Sequence, residues 1–373
     1  MFVHKLHVKN FRLFQEELFE FKQQATLLLG PNTVGKSSII EAIHLLSTGK
    51  SFRAAKVEEM ITFQQDLGWV KGKILPTRES LEVKMGGLDE LQLSILLTRG
   101  EVNGKRTPKQ LYRINDNKRR KKDFVGKLLT VTFRPEDMRL IEGSPGRRRD
   151  FLDLPLQLTD QYYDQALTQY SKALRRRNKL LSLIKEGEQS ASVLTYWDMS
   201  LVKHGEKLQK KRRKLIDFIN SRVEAPFEMQ INYLPSLISR QRIDSHRSAA
   251  IGAGFTLIGP HKDDFEVELK LGGPDSKEKI YHSLDAYGSR AQKRMGVLWL
   301  KKAELTYLKV QTKQQPVLLL DDILSELDQH NRTLVLDLID GEQTIITTAS
   351  SDLIDEIKTK FDKLEVIDLE NRI

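Results

Sequence analysis

Two short stretches of this chain carry residues whose order can do chemistry. In the first, Gly30-Pro31-Asn32-Thr33-Val34-Gly35-Lys36-Ser37-Ser38 follows directly on the apolar run Leu27-Leu28-Leu29. Two glycines bracketing four residues, then a lysine and a hydroxyl, spell a Walker A loop. Backbone N–H groups and the positive end of the next helix wrap a polyphosphate, Lys36 reaches its outer phosphates, and Ser37 offers an oxygen to Mg²⁺. The second stretch is Pro316-Val317-Leu318-Leu319-Leu320-Asp321-Asp322. An apolar strand ending in two carboxylates suits Walker B chemistry, with Asp321 holding Mg²⁺ through water and Asp322 orienting or deprotonating an attacking water. ATP and Mg²⁺ are thus the expected cofactors, residues 30–38 the expected ATP loop, and Lys36 and Asp322 the expected catalytic groups.

Four further candidates keep two readings each. Arg12, at the end of a strand-like N-terminal run, suits either an ATP phosphate or open solvent. The span 105–122 holds nine basic residues against one acid, Asp116. Its core, Arg119-Arg120-Lys121-Lys122, is either a sequence-independent DNA contact that releases counterions or the solvated tip of a hairpin. Thr347 and Thr348 either sense the outer phosphate or simply end a strand. His261, in Gly259-Pro260-His261-Lys262-Asp263-Asp264, is more often structural than catalytic in such a turn.

Composition narrows the field. The 373 residues include no cysteine, which excludes disulfides, thiolate metal sites and a cysteine nucleophile and fits a reducing cytoplasm. With 61 basic and 51 acidic residues the formal charge is +10, which favours an anionic polymer as partner. No signal-peptide core opens the chain, and no apolar run approaches the ~20 residues that span a bilayer, so a cytoplasmic protein without a membrane is expected.

The elements that must position these residues follow from pattern. Residues 2–9 and 18–21 read as strands, Thr26–Leu29 as the strand feeding the loop, and Ile39, Ile40, Ile43 and Leu46 as one face of the following helix, capped by Gly49. Val70–Leu75, Leu81–Lys84 and Leu91–Thr98 read as added antiparallel strands. Residues 154–184 and 193–222 show helical periodicity, the second with Leu194, Leu201, Leu208 and Leu215 seven apart, joined by the polar loop 185–190. That is a short antiparallel, coiled-coil-like hairpin about 45 Å long. Arg175–Arg177 and Lys210–Arg213 decorate it, and a solvated helix face is the commoner explanation for such charges. Phe255–Ile258 reads as a strand, Ser289 as the cap of a helix through Leu308, Thr344–Thr348 as a core strand and 353–373 as helix then strand.

Lys36 and Asp321 stand 285 residues apart, too far for a minimal phosphate-loop domain. The expected fold is therefore a discontinuous α/β ATPase head of the ABC type, a mixed sheet with added antiparallel strands, interrupted by an inserted helical lobe. The boundaries read as 1–145 for the N-terminal part of the head, 146–249 for the helical lobe and 250–373 for the C-terminal part.

Leu29-Gly30-Pro31-Asn32 to Ile43, Gly49-Lys50-Ser51-Phe52-Arg53, Phe133-Arg134-Pro135-Glu136-Asp137-Met138, Arg148-Arg149-Asp150-Phe151-Leu152-Asp153, Gly259–Asp264, Gly288-Ser289-Arg290 and Leu319–Asp328 together closely resemble the bacterial RecF family, in the same order from end to end. The resemblance implies an SMC-like ATPase of recombinational gap repair. It would bind gapped, single- or double-stranded DNA, act with RecR and RecO, and help load RecA onto single strands. It further implies that ATP closes a homodimer, with Ser289, Arg290 and Gln292 in a signature motif and Asp328 in a D-loop, all facing the partner's nucleotide. Hydrolysis would be slow, stimulated by DNA and used as a switch. The chain departs from the family pattern at Thr33 and Ala291, where glycine is usual. Another SMC-like or ABC-type ATPase, serving break repair or transport, is the alternative.

Overall fold

The computed structural model describes residues 1–76, 90–225, 228–271, 280–337, 339, 341–361 and 363–370. The expected strand Leu81–Lys84 lies outside them. The chain folds as two compact units, one built from Met1–Asp137 and Glu304–Ile373, the other from Met138–Ala303.

The first unit holds two sheets. Five parallel strands, in the order Thr130–Phe133, Val317–Asp321, Thr344–Thr348, Ala25–Leu29 and Leu364–Asp368, place the two chemistry-bearing strands one apart with Thr344–Thr348 between them. Such strands are covered on both faces, so they read as continuous apolar runs. Six antiparallel strands form the second sheet, from Phe14–Glu20 through Phe2–Phe11, Leu67–Leu75, Leu91–Thr98 and Gln110–Ile114 to Asn117–Arg119. The expected mixture of strand directions is present, divided between these two sheets.

The helix Lys36–Thr48 shares one apolar core with both sheets. Ile39, Ile43 and Leu46 pack with Val70, Leu93 and Ile95 of the antiparallel sheet and with Val317, Leu319 and Ile345 of the parallel one. Twelve of its thirteen residues are buried, so its apolar surface extends well beyond the single face that periodicity suggests. Gly49 ends it as expected, at φ 64° with its N–H on the Leu45 carbonyl at 2.8 Å, a left-handed cap that glycine adopts without strain.

The second unit contains the hairpin. Its arms are Gln161–Lys185 and Thr195–Arg222; Leu201, Leu208 and Leu215 of the second are buried at 0, 0 and 2 % exposure, and Leu194, at 0 %, ends the 3-10 turn Ala191–Leu194 just before it, so the expected heptad seam is present. The helical pattern that begins at residue 154 is split, because Asp160 leaves helical geometry and caps the first arm through the amides of Tyr162 and Tyr163. A three-stranded antiparallel sheet, Met229–Leu234, Asp264–Leu271 and Ile280–Ser283, completes the unit.

That sheet moves the expected boundary. Residues 250–303 fall with the helical unit rather than with the ATPase head, because strand 264–271 pairs with strand 229–234. The expected strand Phe255–Ile258 is irregular backbone, and the Thr256 amide donates to the Asn178 side chain instead of to a neighbouring strand.

A buried polar network ties this unit together. Arg212 donates to Asp153 at 2.8 and 2.9 Å, to Asp263 at 2.9 Å and to the Pro260 carbonyl at 2.7 Å. Arg177 pairs with Asp198 at 2.6 Å, both essentially without exposure. Removing one partner of such a pair leaves a buried charge and costs about 3–5 kcal/mol. His261 lies between the Tyr170 hydroxyl, 2.7 Å from Nδ1, and the Thr256 carbonyl, 3.1 Å from Nε2. Burial holds its pKa below the ordinary histidine value. These are the contacts of a structural histidine.

Candidate nucleotide-binding site

The loop between Leu29 and Lys36 turns on unusual backbone angles. Gly35 sits at φ 95° immediately before the helix, and Thr33 sits at φ 81°, a region that β-branched residues rarely enter. A Cβ on Gly35 would lie 2.5 Å from Phe14 Cζ and 3.0 Å from Leu13 Cδ2. The turn between the first two antiparallel strands thus closes against the phosphate loop and demands glycine there. Thr33, one of the two departures from the family pattern, carries its strain openly.

The helix that follows has no acidic residue in its first turn, so its positive end is not neutralised. Lys36 is buried, and its Nζ donates to the carbonyls of Gly30 at 2.6 Å and Pro31 at 2.9 Å. Burial pushes its pKa below the ordinary lysine value, against the raising influence of Asp322 and Asp321.

Folding brings the second stretch to the first. Ser37 Oγ donates to Asp321 Oδ1 at 2.8 Å, across 284 residues of sequence. Thr347 Oγ1 donates to the same oxygen at 3.0 Å and accepts the Asp322 amide at 2.9 Å. Thr347 ends its strand, Thr344–Thr348, as one of its two readings has it, and its hydroxyl also braces the carboxylate pair from the strand between the two motifs. Ser325 donates to Asp322 Oδ1 at 2.8 Å and lies 3.2 Å from Thr348 Oγ1. Burial is the largest influence on Asp321 and raises its pKa, partly countered by Ser37, Thr347 and the charges of Arg53 and Arg134.

The donor set fits a magnesium nucleotide. Among the described residues no group of three or more His, Cys, Asp or Glu side chains is placed to cage a metal. A serine hydroxyl and one carboxylate suit Mg²⁺, which keeps several waters and takes its other oxygens from phosphates. The lysine, the loop amides and the unopposed helix end complement polyphosphate charge.

Other candidates lie where their chemistry explains them. Arg12 forms a two-point pair with Glu41 at 2.7 and 2.8 Å and donates to the Glu59 carbonyl at 2.8 Å. Glu41 is fully buried and also accepts from Ser51, so Arg12 neutralises an internal carboxylate of the phosphate-loop helix. Asn117–Arg119 is an edge strand with Arg119, Arg120 and Lys122 exposed, while Arg120 pairs with Asp123 at 3.0 Å and Lys121 reaches the Gly49 carbonyl at 3.3 Å. Cation cluster and hairpin edge are therefore the same feature.

Ser289, Arg290 and Ala291 are exposed at the start of helix Arg290–Thr312, in the second unit. Ser289 Oγ accepts the Gln292 amide at 3.2 Å and Gln292 Oε1 accepts the Ser289 amide at 2.9 Å, a reciprocal capping box. Asp328 is exposed in the first unit and accepts from the Asn331 amide at 2.9 Å and side chain at 2.7 Å, opening helix Gln329–Asp337.

Arg134, which the sequence shows only as a member of the motif Phe133–Met138, gains a place at the site from the sheet. It continues strand Thr130–Phe133, whose register pairs Phe133 with Leu320, and so it stands beside Asp321 at the carboxyl end of the sheet. Its guanidinium lies 4.5 Å from the Phe52 ring centre and 3.4 Å from Asp137. The parallel pairing of these strands was the missing information.

A phosphate loop and a carboxylate-tipped strand in one parallel sheet, flanked by an antiparallel sheet, with a helical unit inserted between them in sequence, define the head of an ABC-type ATPase. The RecF/RecN/SMC N-terminal domain model matches residues 2–368. The chain is 34% identical over 375 residues to the DNA replication and repair protein RecF of Thermoanaerobacter sp. (strain X514), covering 95% of this chain and 96% of that one. It is 31% identical over 376 residues to the RecF of Bacillus cytotoxicus, covering 94% and 93% of the two chains. Among solved structures it is similar to the recombination mediator protein RecF-ATPrS of the RecFOR pathway, with a TM-score of 0.78, 30% identity and 94% and 93% coverage. RecF-ATP of the same pathway matches with a TM-score of 0.77 and 30% identity over 94% of this chain and 92% of that one. The chain belongs to the RecF family.

Proposed function

We propose that this protein is an ATP-switched, DNA-binding recombination mediator of the RecF type, one that dimerises with ATP on gapped, single- or double-stranded DNA. Working with RecR and RecO, it promotes RecA loading at single-stranded gaps during repair and replication, in the cytoplasm. Among the described residues no helix is long and apolar enough to cross a membrane. The sheet-edge cations Arg119, Arg120, Lys121 and Lys122 supply one DNA contact on this reading.

One observation carries the proposal: Ser37 and Thr347 both donate to Asp321 within a single unit, whereas Ser289 and Arg290 are exposed. A half-site complete in cis, paired with an exposed signature, is what a shared site in a two-fold dimer requires.

ATP would supply the anionic phosphates, and the Mg²⁺ bound with it would polarise them. Lys36 would exchange the Gly30 and Pro31 carbonyls for phosphate oxygens, and Ser37, with Asp321 acting through water, would hold the metal. Asp322, held by Ser325, orients the water and accepts its proton as ATP and water become ADP and phosphate. Ser289 and Asp328 complete the partner's site, so closure depends on ATP and slow, DNA-stimulated hydrolysis reopens the pair.

Light scattering tests the switch. Wild type is expected to double its mass with ATP and Mg²⁺ while Lys36→Ala remains a monomer, and an equal ATP-dependent dimer in the variant would remove the phosphate loop from the switch.

A further inference from the structure

The net charge of the chain is not shared between its units. Residues 138–303 carry 30 basic and 20 acidic side chains, whereas the remainder carries 31 of each. The whole excess of positive charge belongs to the helical unit, and much of it lies on the hairpin.

On the arm Thr195–Arg222 the buried positions run Leu201, Gly205, Leu208 and Arg212. Two residues beyond each stands a lysine: Lys203, Lys207, Lys210 and Lys214. Two residues turn a helix by about 200°, so these lysines form one stripe opposite the seam, about 16 Å long. All four are exposed. Among the described residues none of them pairs with a carboxylate, and between residues 199 and 216 the only acid is Glu206.

This is not how a merely solvated helix face is built. Such faces set glutamate against lysine three or four residues apart, and like charges at that spacing destabilise the helix. Here a single glutamate, Glu206, stands at that spacing, from Lys203 and Lys210, while Lys203 and Lys207, Lys207 and Lys210, and Lys210 and Lys214 set like charges three or four residues apart. The neighbouring cations differ in kind: Arg212 is consumed by the buried network, Lys211 pairs with Asp160 at 2.6 Å, and Arg213 lies over the Tyr233 ring. What remains is a row of unneutralised ammonium groups, each about a helical turn from the next, matched to the closely spaced charges of a nucleic-acid backbone.

We propose that the Lys203-Lys207-Lys210-Lys214 stripe is a second DNA-binding surface, which grips the phosphate backbone without reading sequence. It rests on the DNA-binding reading above and places a principal contact on the helical arm, besides the sheet edge at residues 119–122. Lysine suits this task, since as a point charge it neutralises phosphates without demanding a fixed geometry.

The test is the salt dependence of binding to a gapped duplex oligonucleotide by the full chain. For double-stranded DNA the slope of log K against log[salt] falls by about 0.9 for each phosphate neutralised. Changing all four lysines to glutamine is expected to make the slope shallower by about 3–4 units, and changing all four to arginine to preserve it. Exposed side chains of this kind leave the fold intact, which the wild-type melting temperature of both variants checks. If wild type binds the oligonucleotide and the glutamine variant keeps the wild-type slope, the stripe is not a DNA surface and an acidic protein or solvent faces it instead. If wild type itself fails to bind, the DNA-binding reading falls and this inference with it.

Discussion

Replacing Gly35 with alanine separates a phosphate loop held by geometry from one that tolerates any small residue. At φ 95° an L-residue pays about 1–2 kcal/mol in backbone strain. The new Cβ would lie 2.5 Å from Phe14 Cζ, and Phe14 is 4 % exposed with its ring edge-on to Phe19 at 5.5 Å, so it has little room to retreat. Overpacking of this kind costs a further ~1–3 kcal/mol. The stiffer unfolded chain returns about 0.4–1 kcal/mol. The net loss is then about 1–5 kcal/mol, a sizeable part of the ~5–15 kcal/mol that usually holds a domain together. Urea unfolding followed by circular dichroism measures it as a lower midpoint, and binding of a fluorescent ATP analogue is expected to weaken in parallel as the loop is displaced. Thr33→Gly serves as the opposite control, because at φ 81° glycine relieves strain. A Gly35→Ala midpoint within 0.5 kcal/mol of wild type, with ATP binding unchanged, would refute the geometric argument.

Two further outcomes concern the carboxylates. Burial raises the Asp321 pKa, so the folded state holds that proton to higher pH than the unfolded state does, and ionised Asp321 costs stability as pH rises through its folded pKa. Asp321→Asn is therefore expected to melt higher than wild type at pH 7.5, with the difference shrinking toward pH 4, and to lose Mg²⁺-dependent ATP binding; a lower melting temperature at pH 7.5 would reverse the sign of the argument. Asp322 lies at φ 53° and accepts from Ser325 through one oxygen, both of which asparagine reproduces. Asp322→Asn is thus expected to keep the fold and bind ATP but trap the dimer, read as an ATP-induced mass that does not decay, and normal turnover would take Asp322 out of the catalytic role.

The parts of the site legible from sequence are those whose chemistry is local. The phosphate loop, the paired carboxylates, the Gly49 cap and the Ser289 cap each depend on residues within one turn, and the hairpin seam shows in leucines seven apart. The parts that escaped depend on pairing across the chain. For Thr347 and Arg134, both singled out in the sequence, it is the role that escaped: strand 344–348 lies between the other two, and strand 130–133 borders the carboxylate strand. Arg12 acquires its role from Glu41, a carboxylate inside an otherwise apolar helix. Periodicity misplaces the third sheet as well. The run Phe255–Ile258 is apolar without alternation and is followed by Gly259 and Pro260, whereas Phe265, Val267 and Leu269 alternate inward on the true strand. Both arginine-rich spans of the hairpin divide into buried and exposed members, a split that composition cannot reveal.

The claim that each site is shared between two chains is tested most directly by mixing two inactive variants. Lys36→Ala removes the cis half from both sites of its homodimer, and Ser289→Arg removes the trans half. A mixed pair restores one intact site. The account predicts that neither variant alone gives an ATP-dependent dimer or turnover, while the mixture regains both, by light scattering and phosphate release. A mixture as inert as its components, or full activity in either variant alone, would contradict it.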